Sequence, residues 1–160
     1  MVEIEIERKW LLDKFPDNEK CLTLFDTCST EQSYISINPE VRLTKHTKSN
    51  NDSTYKITIK TDGIIKREEI PIQIDKLKYD EILNTLGLKP IRKNVKIYLS
   101  NDKHKVIVSE VEHGEPSSFI YAEIEFDNEE DAESYIFPIK ALDVTLDNNY
   151  KMKNYWKNNR

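Results

Sequence analysis

The sequence contains little of what several common classes of protein require. Only 2 of its 160 residues are cysteines, Cys21 and Cys28, which are too few for a disulfide scaffold and lack the CxxC spacing of a metal site. No run of about 18 apolar residues is present, which argues against a membrane-spanning helix. The sequence also does not open with the basic residues and apolar run of a secretion signal. We therefore expect a reduced, cytoplasmic environment and no membrane partner.

Flexible residues and positive charge are also scarce. With only 3 Gly and 6 Pro, no linker or low-complexity segment divides the chain, and we predict a single domain over residues 1–160. Lys and Arg number 24 against 29 Asp and Glu, a net charge of −5, which argues against nucleic acid as a partner. Charged residues still form 33% of the chain, and their placement is too regular for a solvated surface alone.

Alternation of apolar and polar residues predicts strands along most of the chain. The segment from Val2 to Trp10 alternates almost without interruption. Asn- and Asp-rich turns between several later segments favour antiparallel hairpins. About eight strands result, enough for a closed barrel or a sandwich. The later runs lie at about 31–37, 40–47, 54–61, 64–74, 91–99, 104–112 and 118–126.

Two or three helices interrupt this pattern. Asp75 is placed to cap a helix that ends at Gly87, and Asn128 to cap a second helix that stops before Pro138. The tail from about 147 to 158 has a weaker helical pattern. The predicted fold class is α+β, mainly antiparallel β.

The charges of the polar faces segregate by strand. Glu3, Glu5 and Glu7 share one face of the first strand, and Glu123 and Glu125 share one face of the 118–126 strand. Carboxylates in register repel each other unless cations lie among them. The opposite sign occurs on other strands, at Arg42, Lys56, Lys60, Arg67 and Lys96.

Two interpretations of these faces are open. Polar faces of strands ordinarily meet water. If instead the apolar faces pack outward, the charged faces line the lumen of a barrel. Lys and Arg bind phosphate oxygens, and clustered carboxylates bind Mg²⁺ or Mn²⁺, so such a lumen would suit a metal–polyphosphate complex.

Several motifs, in the same order from end to end, resemble those of the CYTH superfamily, the triphosphate tunnel metalloenzymes. Glu5-x-Glu7-x-Lys9 is similar to the ExExK opening of that family, and Ala122-Glu123-Ile124-Glu125-Phe126 to its ExE strand. The other matching segments are Pro39-Glu40-Val41-Arg42-Leu43, Ile57-Thr58-Ile59-Lys60, Arg67-Glu68-Glu69 and Val144-Thr145-x-Asp147-x-x-Tyr150.

This resemblance implies an eight-stranded antiparallel tunnel with a few peripheral helices that hydrolyses a linear triphosphate with a divalent metal ion. The positions that match its metal-binding acids are Glu5, Glu7, Glu123 and Glu125. The positions that match its phosphate ligands are Lys9, Arg42, Lys60 and Arg67, and Glu69 matches an acid near the metal ion or the attacking water. We expect Glu7, Glu69 and Lys9 to take part in catalysis, and we add Lys56 and Lys96 as substrate ligands from the strand alternation.

The sequence departs from the family pattern at two cationic positions. Thr44 stands where the family has a second arginine. The register of the 91–99 strand leaves open whether Lys93 or Lys96 faces the lumen. We prefer Lys96, because Val95, Ile97 and Leu99 then face outward.

Three functions remain open at this point. The first is a triphosphatase whose simplest substrate is inorganic tripolyphosphate. The second is a thiamine triphosphatase or a class IV adenylate cyclase, and the third is a non-catalytic module that binds polyphosphate or a nucleotide. A homodimer is compatible with each of them.

Overall fold

A computed structural model describes residues 1–160 and contains nine strands, of which eight match the predicted ones. The ninth, β9, is a two-residue strand before the C-terminal segment. The strands are β1 Glu3–Leu12, β2 Leu22–Ser36, β3 Glu40–Lys48, β4 Ser53–Lys60, β5 Lys66–Ile74, β6 Ile91–Ser100, β7 Lys105–Val111, β8 Phe119–Glu125 and β9 Leu142–Asp143.

The strands form one sheet that closes on itself. Its order is β5-β4-β3-β2-β6-β7-β8-β1-β9, and a further pairing of β5 with β1 completes an eight-stranded barrel. Every pairing is antiparallel. The predicted fold class and the closed barrel are therefore confirmed.

Strand β2 is the main departure from the predicted boundaries. It has 15 residues, whereas the sequence pattern predicts a strand only over 31–37. Its first half pairs with the end of β6, starting from Leu22 opposite Ser100, and its register shifts between Leu24 and Asp26. An irregularity of this kind breaks the period of two on which the sequence prediction depends.

The predicted helix caps are present. Helix α1, Lys76–Thr85, begins after Asp75, whose carboxylate accepts a 2.8 Å hydrogen bond from the backbone N–H of Lys78. Helix α2, Glu129–Ser134, begins after Asn128, whose side chain accepts a 2.8 Å bond from the N–H of Asp131. The helices are too short and too polar to span a bilayer.

The main apolar core lies outside the barrel, where α2 and the segment after it cover β1, β7 and β8. Trp10 is 3% exposed and stacks on Phe137, with ring centroids 4.4 Å apart. Arg8 donates to the carbonyls of Ala132 (2.6 Å) and Tyr135 (3.0 Å) and ties this covering segment to β1. The apolar face of β1 therefore points outward, and its charged face points into the lumen.

The C-terminal segment covers one end of the barrel. The backbone of Lys9 donates to the Thr145 hydroxyl at 3.0 Å, which anchors the segment beside β1. After a 3-10 turn, helix α3, Met152–Asn159, buries Met152 and Tyr155. These side chains pack with Tyr34 and Tyr121, whose rings reach the lumen at this end.

Candidate active site

A charged cavity of about 170 Å³ occupies the lumen under the C-terminal segment. Most of the residues that the sequence predicts for the site contribute to its wall. Both acids and bases are present, and they come from β1, β3, β4, β5, β6 and β8. The predicted residues among them are Glu5, Glu7, Lys9, Arg42, Lys60, Arg67, Glu123 and Glu125.

Three carboxylates meet at the β1–β8 side of the cavity. Carboxylate oxygens of Glu5, Glu7 and Glu125 all lie within 4.8 Å of one another. Glu5 and Glu7 share a face of β1 because side chains alternate along a strand, and Glu125 is the register partner of Glu7. Burial, together with the charges of Glu123 and Glu5, raises the pKa of Glu7 to about 8. A divalent cation fits this donor set, because it prefers carboxylate oxygens and compensates their repulsion.

Glu123, predicted as a fourth metal ligand, lies outside this cluster. Its carboxylate is 3.2 Å from the ammonium of Lys9, its register partner on β1. Burial alone would raise the pKa of Glu123, but the neighbouring charges of Lys9 and Lys93 outweigh it and lower the pKa. The structure therefore pairs Glu123 with cations and not with the other three acids.

Two further cavity cations, on β4 and β5, are also held by carboxylates. The ammonium of Lys60 lies 3.0 Å from Glu5 and 2.9 Å from Glu69. Arg67 lies 2.9 Å from Glu5 and 3.3 Å from Glu40. Glu69, predicted to lie near the metal ion or the water, is therefore linked to Glu5 of the acid cluster by the ammonium of Lys60, which pairs with both carboxylates.

Arg42 and Lys93 have no carboxylate within 4.0 Å. The ammonium of Lys93 lies 2.7 Å from the hydroxyl of Tyr121. Burial lowers the pKa of Lys93 to about 7, and the positive charges of Arg42 and Lys9 add to that shift. Arg42 has a raised pKa despite its burial, because Tyr34 and the acids of the cavity favour its charged form. Arg42 is therefore a charged group available to an anion, and Lys93 becomes one when it is protonated.

The inward lysine of β6 is Lys93, so the expectation that Lys96 faces the lumen was wrong. Lys96 lies on the outer face, where its ammonium is 2.7 Å from Asp17. Tyr98, on the same outer face, also donates to Asp17 at 2.7 Å and belongs to the outer core. Val95 follows Lys93 on the inner face. Along β6, the lumen beyond the charged cavity is therefore lined by apolar residues. The apolar residues of this strand thus do not identify its outer face.

Lys56, predicted as a further substrate ligand, is not part of the cavity wall. It lies on the same face of β4 as Lys60, but four residue pairs farther along the barrel, beside Thr44 of β3. Its charge is therefore farther along the barrel from the acid cluster than that of Lys60.

Several cavity residues were not predicted from the sequence. Strand β2 contributes Gln32 and Tyr34, and β3 contributes Glu40. The alternation around Arg42 could have identified Glu40. From β8, Tyr121 joins the wall, on the face that the sequence pattern already shares with Glu123. Only the tertiary structure brings Gly63 and Ile64, from the β4–β5 loop, to the same cavity.

The C-terminal lysines meet the β4–β5 loop at the mouth of the cavity. The ammonium of Lys151 donates to the carbonyl of Gly63 at 3.1 Å. Lys153 donates to Asp62 at 3.3 Å and lies 3.9 Å from Glu40. Both lysines belong to the cavity wall, so two segments distant in sequence close this mouth together.

Comparison with solved structures relates this barrel to proteins of known activity. Two structures of the protein NE1496 match at 27% identity with TM-scores of 0.61 and 0.60, cover 94% of this chain and cover 96% and 95% of theirs. One of the two is described as an inorganic triphosphatase. No family model and no curated protein matches the sequence.

Two further structures share the fold. PH1819 from Pyrococcus horikoshii OT3 matches at 21% identity with a TM-score of 0.58, over 81% of this chain and 82% of its own. HpAC1 from Hippeastrum, an adenylyl cyclase candidate with a dominant triphosphatase activity, matches at 13% identity with a TM-score of 0.54, over 82% of each chain. The closed barrel and the likeness to NE1496 confirm the resemblance to triphosphate tunnel proteins noted in the sequence.

Proposed function

We propose that this protein hydrolyses a linear triphosphate with the help of Mg²⁺ or Mn²⁺, and that inorganic tripolyphosphate is its simplest substrate. The observation that carries the proposal is the division of one cavity into a cluster of three carboxylates and a set of cations. Its likeness at 27% identity to NE1496, described as an inorganic triphosphatase, supports the same activity.

In this proposal Glu5, Glu7 and Glu125 hold the divalent ion. When bound, the ion neutralises charge on the phosphate oxygens as it develops during transfer of the phosphoryl group. Lys60 and Arg67 keep the carboxylate of Glu5 in place through hydrogen bonds of 2.9 to 3.1 Å. Metal ligation therefore depends on cations that orient the acids.

The cations of the cavity bind and align the triphosphate. Arg42 and Lys93 have no carboxylate partner, and Lys9 is oriented by Glu123. Charge-assisted hydrogen bonds from these groups would hold the phosphate chain in line for attack and reduce its repulsion of a nucleophile. The cavity wall contains no cysteine, serine or histidine, and the hydroxyl of Thr145 is already bonded to the Lys9 carbonyl and to Asp143. Water is therefore the proposed nucleophile.

Release of phosphate from tripolyphosphate tests this function. The wild-type protein is expected to release phosphate with Mg²⁺ or Mn²⁺, and Glu7→Gln to lose most of that activity. Glu3→Gln is the matched control, because Glu3 lies on the same face of β1 but is exposed and outside the carboxylate cluster. The proposal fails if the wild-type protein hydrolyses no triphosphate.

Measuring kcat/KM side by side for tripolyphosphate, thiamine triphosphate and ATP identifies the preferred substrate. Tripolyphosphate is expected to give the highest kcat/KM. A higher value for thiamine triphosphate would identify a thiamine triphosphatase, and formation of cyclic AMP and pyrophosphate from ATP would identify a cyclase. Tight binding of all three without turnover would indicate a non-catalytic module.

A further inference from the structure

Tyr121 on β8 lies between two cations of the cavity, Lys9 and Lys93. Its side chain is 1% exposed and forms part of the cavity wall. The hydroxyl accepts a hydrogen bond of 2.7 Å from the ammonium of Lys93. The ammonium of Lys9 lies over the face of the ring, 4.6 Å from its centroid. One tyrosine therefore contacts both lysines, each through a different part of its side chain.

The other partners of the two lysines show what this tyrosine adds. Lys9 is also paired with the carboxylate of Glu123 at 3.2 Å and donates to the carbonyl of Tyr150 at 3.1 Å. The ammonium of Lys93 makes a single hydrogen bond, to the hydroxyl of Tyr121. The position of the Lys93 ammonium in the lumen therefore depends on that hydroxyl.

The strand register brings the two lysines to Tyr121 from opposite sides. Tyr121 and Glu123 occupy successive inward positions of β8. Lys9 comes from β1, which pairs with β8 on one side, and Lys93 comes from β6, which lies beyond β7 on the other side. The tyrosine is thus the point at which cations from two distant segments of the chain meet.

A phenol suits this place because it attracts cations without carrying a charge. The face of an aromatic ring attracts a cation above it, and a phenol oxygen accepts a hydrogen bond. Burial raises the pKa of Tyr121 well above its usual value of 10, so the side chain is neutral. A carboxylate at the same point would also hold the lysines, but it would repel an anion. The phenol instead leaves the charge of Lys93, once that lysine is protonated, to a substrate.

We propose that Tyr121 is a positioning residue of the candidate active site, whose hydroxyl and ring hold the ammonium groups of Lys93 and Lys9 at a separation that lets both contact one bound triphosphate. This inference rests on the proposed function, because the two lysines bind that substrate. The attraction of the phenol for both cations reduces the effect of their mutual repulsion. Without the hydroxyl, Lys93 would be free to move away from Lys9, and the two would no longer fit one phosphate chain.

Two substitutions separate the roles of the hydroxyl and the ring. Tyr121→Phe removes the partner of Lys93 and keeps the ring under Lys9, whereas Tyr121→Leu removes both. The matched control is Tyr155→Phe. Tyr155 belongs to the same buried cluster and its hydroxyl lies 2.8 Å from that of Ser117, but it is not part of the cavity wall.

Three measurements are made on each variant. Calorimetry gives the affinity of the metal-free protein for tripolyphosphate, phosphate release with Mn²⁺ gives KM and kcat, and thermal unfolding gives the melting temperature. Tyr121→Phe should bind tripolyphosphate about fivefold more weakly and raise KM by a similar factor, with a smaller change in kcat. Tyr121→Leu should lose about threefold more, because Lys9 loses its contact with the ring. Tyr155→Phe should bind like the wild type, whatever its melting temperature.

The Lys93→Met variant distinguishes positioning from a general role in folding. If Tyr121 acts through Lys93, Tyr121→Phe should not weaken binding further once that lysine is absent. An equal loss of binding with and without Lys93 would overturn the positioning role. Binding by Tyr121→Phe within about twofold of the wild type, or an equal loss of binding in Tyr155→Phe, would overturn it as well.

The proposed function and the role of Tyr121 can fail separately. A wild-type protein that binds tripolyphosphate but releases no phosphate with metal contradicts the function, and calorimetry on the variants still decides the role of Tyr121. A wild-type protein that hydrolyses tripolyphosphate while Tyr121→Phe binds and turns over normally contradicts the positioning role alone. A wild-type protein that does not bind tripolyphosphate contradicts both.

Discussion

Arg67 and Glu5 face each other across the β5–β1 pair that closes the barrel. The Nε and Nη2 atoms of Arg67 both donate to one carboxylate oxygen of Glu5, at 3.1 and 2.9 Å. Glu5 is also a member of the acid cluster. The same carboxylate therefore bridges the strand pair that closes the barrel and contributes to the candidate metal site.

The first prediction concerns this pair. Arg67→Ala should lower the free energy of unfolding by about 3 kcal/mol, because it removes one of the two cations paired with the buried carboxylate of Glu5 and the nearest cation of Glu40. Urea unfolding of the metal-free protein measures the change. Lys66→Ala is the control: Lys66 is adjacent but points outward to an exposed pair with Glu129 at 3.1 Å, worth at most about 1 kcal/mol. Equal losses in the two variants would contradict the prediction.

The second prediction separates the two glutamates of β8. Glu125→Gln should weaken Mn²⁺ binding at least about tenfold, because Glu125 belongs to the carboxylate cluster. Glu123→Gln should have a smaller effect on Mn²⁺, because its carboxylate pairs with Lys9. Calorimetric titration with Mn²⁺ measures both, and Glu3→Gln should behave like the wild type. A larger loss in Glu123→Gln than in Glu125→Gln would show that the ion binds elsewhere in the lumen.

The third prediction is a pH dependence of stability due to Lys93. Its pKa is about 7 in the folded protein and 10.5 in the unfolded chain, so only the unfolded state binds this proton between those values. The stability of the folded protein with a neutral Lys93 is therefore highest above pH 10.5, falls as the pH is lowered from 10.5 to 7, and falls no further below about 7. Relative to Lys93→Met, the wild-type protein should gain up to about 1.4 kcal/mol per pH unit as the pH rises from 7 to 9.

Urea unfolding of metal-free protein at pH 6, 7.5 and 9 measures this difference. Lys96→Met is the control, because Lys96 lies on the outer face beside Asp17 and should give a curve parallel to that of the wild type. A parallel curve for Lys93→Met as well would contradict the buried, neutral state of Lys93.

The fourth prediction concerns the mouth of the cavity. Lys151→Ala should raise KM for tripolyphosphate about tenfold and change kcat less, because a cavity-lining cation that holds only the carbonyl of Gly63 is lost. Lys157→Ala, on an exposed part of helix α3, should leave both constants unchanged. Steady-state kinetics measures them, and an unchanged KM in Lys151→Ala would exclude a contact with substrate.

Much of the barrel could be predicted from local patterns. Alternation along Val2–Trp10 identifies β1 and its two faces, and Asp75 and Asn128 identify the helix starts because their side chains satisfy N–H groups within the next turn. The first half of β2 could not be predicted in the same way. Its register shift between Leu24 and Asp26 interrupts the alternation, and only pairing with β6 keeps it extended.

The candidate site could be predicted only in part. Residues on one face of one strand, such as Glu5 and Glu7, are neighbours by backbone geometry alone. The inward side of β6 was assigned wrongly because the lumen is charged beside Lys93 and apolar beside Val95, so hydrophobicity does not identify its outer face.

The sequence by itself determined most of the strands, the helix caps and which charged residues share a strand face, because these depend on residues close together in the chain. Only the tertiary structure decided which of those charges meet. Closure by the β5–β1 pair places Arg67 on Glu5, and the β1–β8 register places Glu125 by Glu7 but Glu123 by Lys9. Electrostatic interactions fall with distance and strengthen with burial, so these pairings determine which acids can hold a metal ion and which cations remain for an anion.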